Sequence, residues 1–364
     1  MNPTPIVPTP DALPLPAPAA LLHVLLLLTF TLHLVAMNAL VGGAVLALWL
    51  RGRAGAVRGA ADVAGRIGKA LPVCVAATVT LGVAPLLFLQ ALHGRFFFAA
   101  SVIMAWPWFS LIPLLIVAYY GAYLESFRGA RLAGWRAPLL AATAAIFALI
   151  ALIQVNNATL LLRPDRWPTL YFGNPRGANW NLGDPQVVPR WLHALSGAVA
   201  IGGLLLALWG KARRGSDPEG ARLMRRVGLG ALGWLTMANV AVGLWFLLAL
   251  ERDVLRRFMG GSGHATGLLA LGVVSALALI ALAARARRRD QASLTPVTVV
   301  AALTMIVMVL TRDFARQTQL AEHVGSLPVA VATQSVNIAL FALLLVAAIA
   351  IVWWMVRRLA RAGR

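Results

Sequence analysis

The sequence predicts an all-α polytopic membrane protein, a bundle of about nine transmembrane helices with its N-terminus outside and its C-terminus in the cytoplasm. Three observations carry this. Of the 364 residues, 60% are hydrophobic and 12% charged, and the mean hydropathy is +0.80, whereas soluble chains run roughly 45–50% apolar with about a quarter charged. Apolar runs near the roughly 20 residues that span a bilayer recur along the whole chain. The basic residues fall between those runs, mostly in alternate connections. The net charge of +20 would suggest a nucleic-acid partner in a soluble protein; here membrane topology explains it, and no nucleic-acid partner is expected. The one cysteine, Cys74, lies in an apolar run, which excludes a disulfide framework, cysteine-held zinc and an iron–sulfur cluster.

Residues 1–18 form a proline-rich tail with no basic residue. A secretory signal begins with positive charge, so this tail reads as extended and retained, with residues 19–364 as a single transmembrane bundle. Spans are expected at about 20–50, 70–92, 102–124, 137–160, 191–210, 227–250, 265–284, 294–311 and 329–356, each a helix because backbone crossing lipid must satisfy its own hydrogen bonds. Of the 32 Lys and Arg residues, 22 lie in 51–69, 125–136, 211–226, 285–289 and the tail from 357. Basic residues are retained on the cytoplasmic side, so these segments are read as inward and the protein as multi-pass in the inner (plasma) membrane. No 20–50-residue repeat and no phosphate-cradling glycine loop is present. The pairs Gly42-Gly43 and Gly202-Gly203 read as close packing between spans.

On this topology all six histidines, His23, His33, His93, His193, His264 and His323, fall in or beside the outward half of the membrane. Ionisable side chains at membrane depth usually face a site rather than lipid, and neutral imidazole is a good ligand for haem iron. His33 and His193 lie deepest and have small or polar neighbours; each fits either an interhelical hydrogen bond or a haem ligand. His23, His93 and His323 read as interfacial. Arg312-Asp313-Phe314-Ala315-Arg316-Gln317 is expected where the eighth span meets the outer surface, as a snorkelling charge cluster, a propionate site or an oxygen ligand to iron. Gln154, Asn156 and Asn157 make a polar patch toward the outer end of span four, and Tyr119, Tyr120 and Tyr123 line part of span three.

Several segments resemble subunit I of the cytochrome bd quinol oxidases. FTLHLVAMNALVGGAVLALWL is similar to the family's first helix, with His33 at the position of a high-spin haem ligand. TVTLGVAPLLFLQALHGRFFFAASVIMAWPWFSLIPLLIVAYYGAYLES resembles its second and third helices. ALIQVNNATL, with Asn157, resembles the fourth helix, and NLGDPQVVPRWLHALSGAVAIGG resembles the start of the fifth, where His193 matches a low-spin haem ligand. Asp313-Phe-Ala-Arg316-Gln317 resembles the Glu-x-Gly-Arg-Gln segment, in which the acid ligates the other high-spin haem. The departures are specific. The long outer quinol loop between spans six and seven is reduced to the residues around Glu251–His264, and the intramembrane glutamate of span three falls on Val117. Glu125 matches that helix's second acid. The methionine opposite the low-spin histidine has no clean counterpart.

The resemblance implies a haem-binding electron-transfer subunit with two or three haems, b-type or d-type, and a role for quinone. His33 would ligate one haem and His193 a second, with His264 or Met237 opposite; Asp313 and Arg316 would serve a third haem or propionates, and Asn157 is counted with the cofactor-binding residues. Electrons would pass between quinol or another membrane subunit of a respiratory complex and an outer acceptor such as a c-type cytochrome. Two alternatives remain: a divergent bd-type terminal oxidase reducing oxygen, and a haem-free transporter or assembly scaffold that kept the fold.

Overall fold

A computed structural model describes residues 7, 14–128, 132–174, 176–321, 323 and 330–362. The described chain is helical throughout, and eight of its helices are long and apolar enough to cross a membrane; the chain is a multi-pass membrane protein. In order the elements are α1 (Ala19–Gly52), α2 (Ala60–Met104), the single turn α3 (Trp106–Phe109), α4 (Leu111–Arg128), α5 (Arg136–Leu160), the short α6 (Trp167–Gly173), α7 (Val187–Ala212), α8 (Pro218–Leu248), the short α9 (Arg252–Arg256), α10 (Gly263–Arg288), α11 (Thr295–Leu320) and α12 (Ser335–Ala362). The ninth expected span corresponds to α12, whose described apolar stretch is the shorter Ser335–Ile351. Most of the expected N-terminal tail lies outside the described residues; Leu15 exchanges backbone hydrogen bonds with Ala330 and Ala332 just before α12.

The helices run past the expected span ends because arginine, lysine and glutamate are good helix formers and continue a helix beyond the lipid. Thus α2 begins ten residues before the apolar run does, and α11 continues through Arg312–Gln317 to Leu320. The arginine-rich segment is therefore helical, within the last turns of α11. Local chemistry fixes the termini. Asp217 caps α8, accepting the Gly220 N–H at 3.0 Å, with Pro218 in the first turn, where an absent N–H costs nothing. At the far end of α10, the Arg225 guanidinium donates to the carbonyls of Ala286 and Arg289, groups that a helix C-terminus leaves without partners, and to that of Ala292 in the connection beyond.

Close approach organises the core. A Cβ on Gly42 would sit 2.3 Å from the Ala198 carbonyl oxygen, and one on Gly202 2.7 Å from the Gly42 Cα, so α1 and α7 cross backbone to backbone. This realises the expected role of these glycine pairs. Around the crossing, buried Val41, Ala44, Leu71, Phe147 and Leu206 join α1, α2, α5 and α7.

The connections separate cleanly into two ends. At one, Arg66 of α2 pairs with Asp217, and Glu125 of α4 accepts from Arg51 of α1 and from Arg136 of α5. At the other, the Trp106 N–H bonds the Gly177 carbonyl at 2.9 Å, Arg163 pairs with Asp184 and Glu251, and Gln319 meets Gln186. The first end is the one rich in basic residues, which the charge count reads as cytoplasmic.

Candidate functional site

His33 stands on α1 against α2. Its Nδ1 lies 3.0 Å from the Thr78 carbonyl oxygen, and a carbonyl can only accept, so Nδ1 carries the proton and a neutral ring keeps its lone pair on Nε2. This is the orientation a backbone carbonyl imposes on a metal-ligating imidazole. The ring fits because residue 82 is glycine: a Cβ there would lie 2.9 Å from His33 Cε1 and 3.0 Å from Nδ1.

His193 closes the second turn of α7 and faces α8. A Cβ on Gly243 would come within 3.1 Å of its Cε1. The His193 Nδ1 is buried against the Asn239 backbone and completes no hydrogen bond. One turn on, the Ser196 hydroxyl donates to Asn239 Oδ1 at 2.6 Å, joining the two helices beside the ring.

A third group gathers at the outer end. Asp313 is buried on α11 and accepts from Arg316 and, at 2.6 Å, from Gln317, while His23 at the start of α1 lies 2.8 Å from its Oδ2. Arg312 lies over the Phe30 ring at 4.6 Å, and Arg190 of α7 over Phe246 at 5.0 Å. Arg312 is near enough to both Arg190 and Arg316 to feel their charge. Asp313 pairs with Arg316 and acts on Arg312, while Asp184, the carboxylate that acts on Arg190, is taken up by Arg163 and Arg166. Cationic charge is thus left in excess in the outer part of the bundle, which an apolar surrounding tolerates only with anions nearby. Two members escaped the sequence reading. Arg190 had one available signal, a lone arginine in the first turn of an apolar helix. The His23–Asp313 pair, 290 residues apart, had none.

The remaining expected residues are elsewhere. Met237 is 47% exposed and, two residues from Asn239, lies on the opposite side of α8 from the face that meets His193; it does not stand opposite that ring. Asn157 is buried and donates to Ser101 Oγ at 3.1 Å, and Asn156 accepts from the Asn181 N–H, so this patch ties α5 to α2 and to the outer connection. His264 is exposed at the start of α10, its ring 5.8 Å from that of Phe314. Val117 is exposed on α4. His93, at the point where α2 departs from helical geometry, buries an Nε2 without a partner. Among the described residues no group of three or more His, Cys, Asp or Glu side chains is arranged to hold a metal ion.

No protein-family model matches this chain, and no curated protein matches it in sequence. Among solved structures it is similar to a chain of the bd oxidase from Geobacillus thermodenitrificans, with a TM-score of 0.69 at 17% identity over 95% of this chain and 100% of that one. At that identity the likeness establishes the helical fold.

Proposed function

We propose that this protein is a haem-binding electron-transfer subunit of a bd-like respiratory complex in the inner membrane, exchanging electrons with quinol or a partner subunit and with an acceptor at the outer face. The observation that carries the reading is the pair of imidazoles, His33 oriented by the Thr78 carbonyl and His193 buried against α8, each in a slot that a single glycine opens. The fold shared with a bd oxidase chain supports it. His33 Nε2 would hold one iron and His193 another. Arg190 and Arg312, cations whose direct contacts are aromatic rings and the Gln186 amide, would neutralise propionate carboxylates. Asp313, already committed to Arg316, Gln317 and His23, would steady the outer cluster. Bound haem would supply reversible one-electron chemistry, while the chain sets its potential through ligand, burial and charge. The connection from α8 to α10 holds α9 and a single wide turn, which favours an electron conduit over an enzyme that handles quinol on a long loop there.

The test is a reduced-minus-oxidised spectrum with pyridine extraction on the purified protein, repeated for His33→Ala and His193→Ala. Each variant is expected to lose or shift the bands of one haem and keep the rest. A wild-type spectrum without haem bands would end the proposal, as would two variants both indistinguishable from wild type. Oxygen uptake with reduced quinol separates conduit from oxidase, and the conduit predicts none from this subunit alone.

A further inference from the structure

At the end of the bundle opposite the arginine cluster, α2, α4 and α5 frame a cleft of about 570 Å³. Its wall carries both signs of charge, with Arg66, Lys69 and Arg136 facing Asp62 and Glu125. Part of this charge is internally satisfied: Arg136 donates to Glu125 Oε1 at 2.9 Å, Arg51 donates to the same atom, and Arg66 pairs with Asp217. Lys69 and Asp62 are left at the mouth, both exposed and neither in an ion pair among the described residues. Deeper in, Glu125 is 2% exposed, and its Oε2 and the Arg136 Nε are buried with no hydrogen-bond partner. The cleft thus offers a free cation and a free anion at the rim, and a bare donor and a bare acceptor within. Beside it Phe127 stacks on Tyr123 at 5.5 Å, and Phe127 and Trp135 are both about three-quarters exposed. Aromatic side chains flanked by basic ones mark the depth of lipid headgroups.

We propose that this cleft holds the headgroup of a zwitterionic aminophospholipid. The phosphodiester lies against Lys69 and Arg136, the primary ammonium against Asp62 and Glu125, and an acyl chain runs along Tyr123 and Phe127. A bare anion would leave Asp62 and the buried Glu125 Oε2 facing negative charge unpaired, which is costly. A choline headgroup has the same charges but no N–H to donate.

The experiment takes the full-length protein, stripped of lipid in detergent, and measures by native mass spectrometry the retention of phosphatidylethanolamine, phosphatidylcholine and phosphatidylglycerol with matched chains. Lys69→Gln and Asp62→Asn change exposed residues without ion-pair partners, so both variants fold. Phosphatidylethanolamine is expected to bind preferentially, and each substitution to weaken it about fivefold, the share of one charge at a lipid surface. Inorganic phosphate at the same concentration leaves it bound. Equal retention of phosphatidylcholine, preference for phosphatidylglycerol, displacement by inorganic phosphate, or unchanged affinity in both variants would each overturn the proposal.

Discussion

A methyl group on Gly82 would already press on the His33 ring, so the residue that decides how this histidine sits is on a different helix from the histidine itself. Gly82→Val is expected to shift or remove the haem bands assigned to His33 while leaving those of His193, at a cost of about 1–3 kcal/mol for the overpacked contact; spectra and thermal unfolding in detergent measure the two effects. Away from the membrane interior, Asp217 gives a pH dependence. The Gly220 N–H, and then the Arg66 guanidinium, hold its carboxyl below the ordinary 3.8. A carboxylate with a depressed folded pKa stabilises above its unfolded value and loses that contribution as pH falls through the folded one. Asp217→Asn is therefore expected to lower the unfolding temperature at neutral pH, with the difference from wild type closing as the pH drops below 3.8. Residue type and small neighbours made His33 and His193 legible in the sequence. The engagement of Asp313 by His23 was not, because a contact between the first and eighth spans leaves no local pattern.

At the scale of the element, hydrophobic runs located every long helix, since lipid demands an apolar surface whatever the packing within. The same signal misplaced the ends. It stops where charge begins, whereas α2 and α11 carry their helices on through turns that hold charged residues. For α11 this matters, because Arg312, Asp313 and Arg316 project from successive turns of one rigid rod rather than from a fraying terminus. The crossing of α1 and α7 is the joint on which the two histidine-bearing helices depend. Gly202→Leu would push a branched side chain into the Gly42 backbone and is expected to abolish stable accumulation in the membrane. Gly55→Leu, at an open position, should accumulate normally; immunoblots of membrane fractions compare the two.

Across the whole molecule, the segregation of connections into two ends was legible from charge alone, since 22 of 32 basic residues fall in alternate segments. Sidedness can be read with a membrane-impermeant maleimide in a Cys74→Ser background. Gly183→Cys is expected to label in intact spheroplasts and Gly215→Cys only after permeabilisation; the reverse pattern would invert the protein and put the histidines on the cytoplasmic side. The length of α2 has its own consequence. Its 45 residues at about 1.5 Å each make a rod of roughly 67 Å, more than twice the roughly 30 Å of hydrocarbon in a bilayer. Even bent at His93, it outruns that slab, so its first turns, Asp62 and Lys69 among them, pass the hydrocarbon and stand at the level of the lipid headgroups as a stiff post. A spin label at Asp62 should accordingly tumble with the whole particle, as slowly as one placed in the lipid-buried shaft.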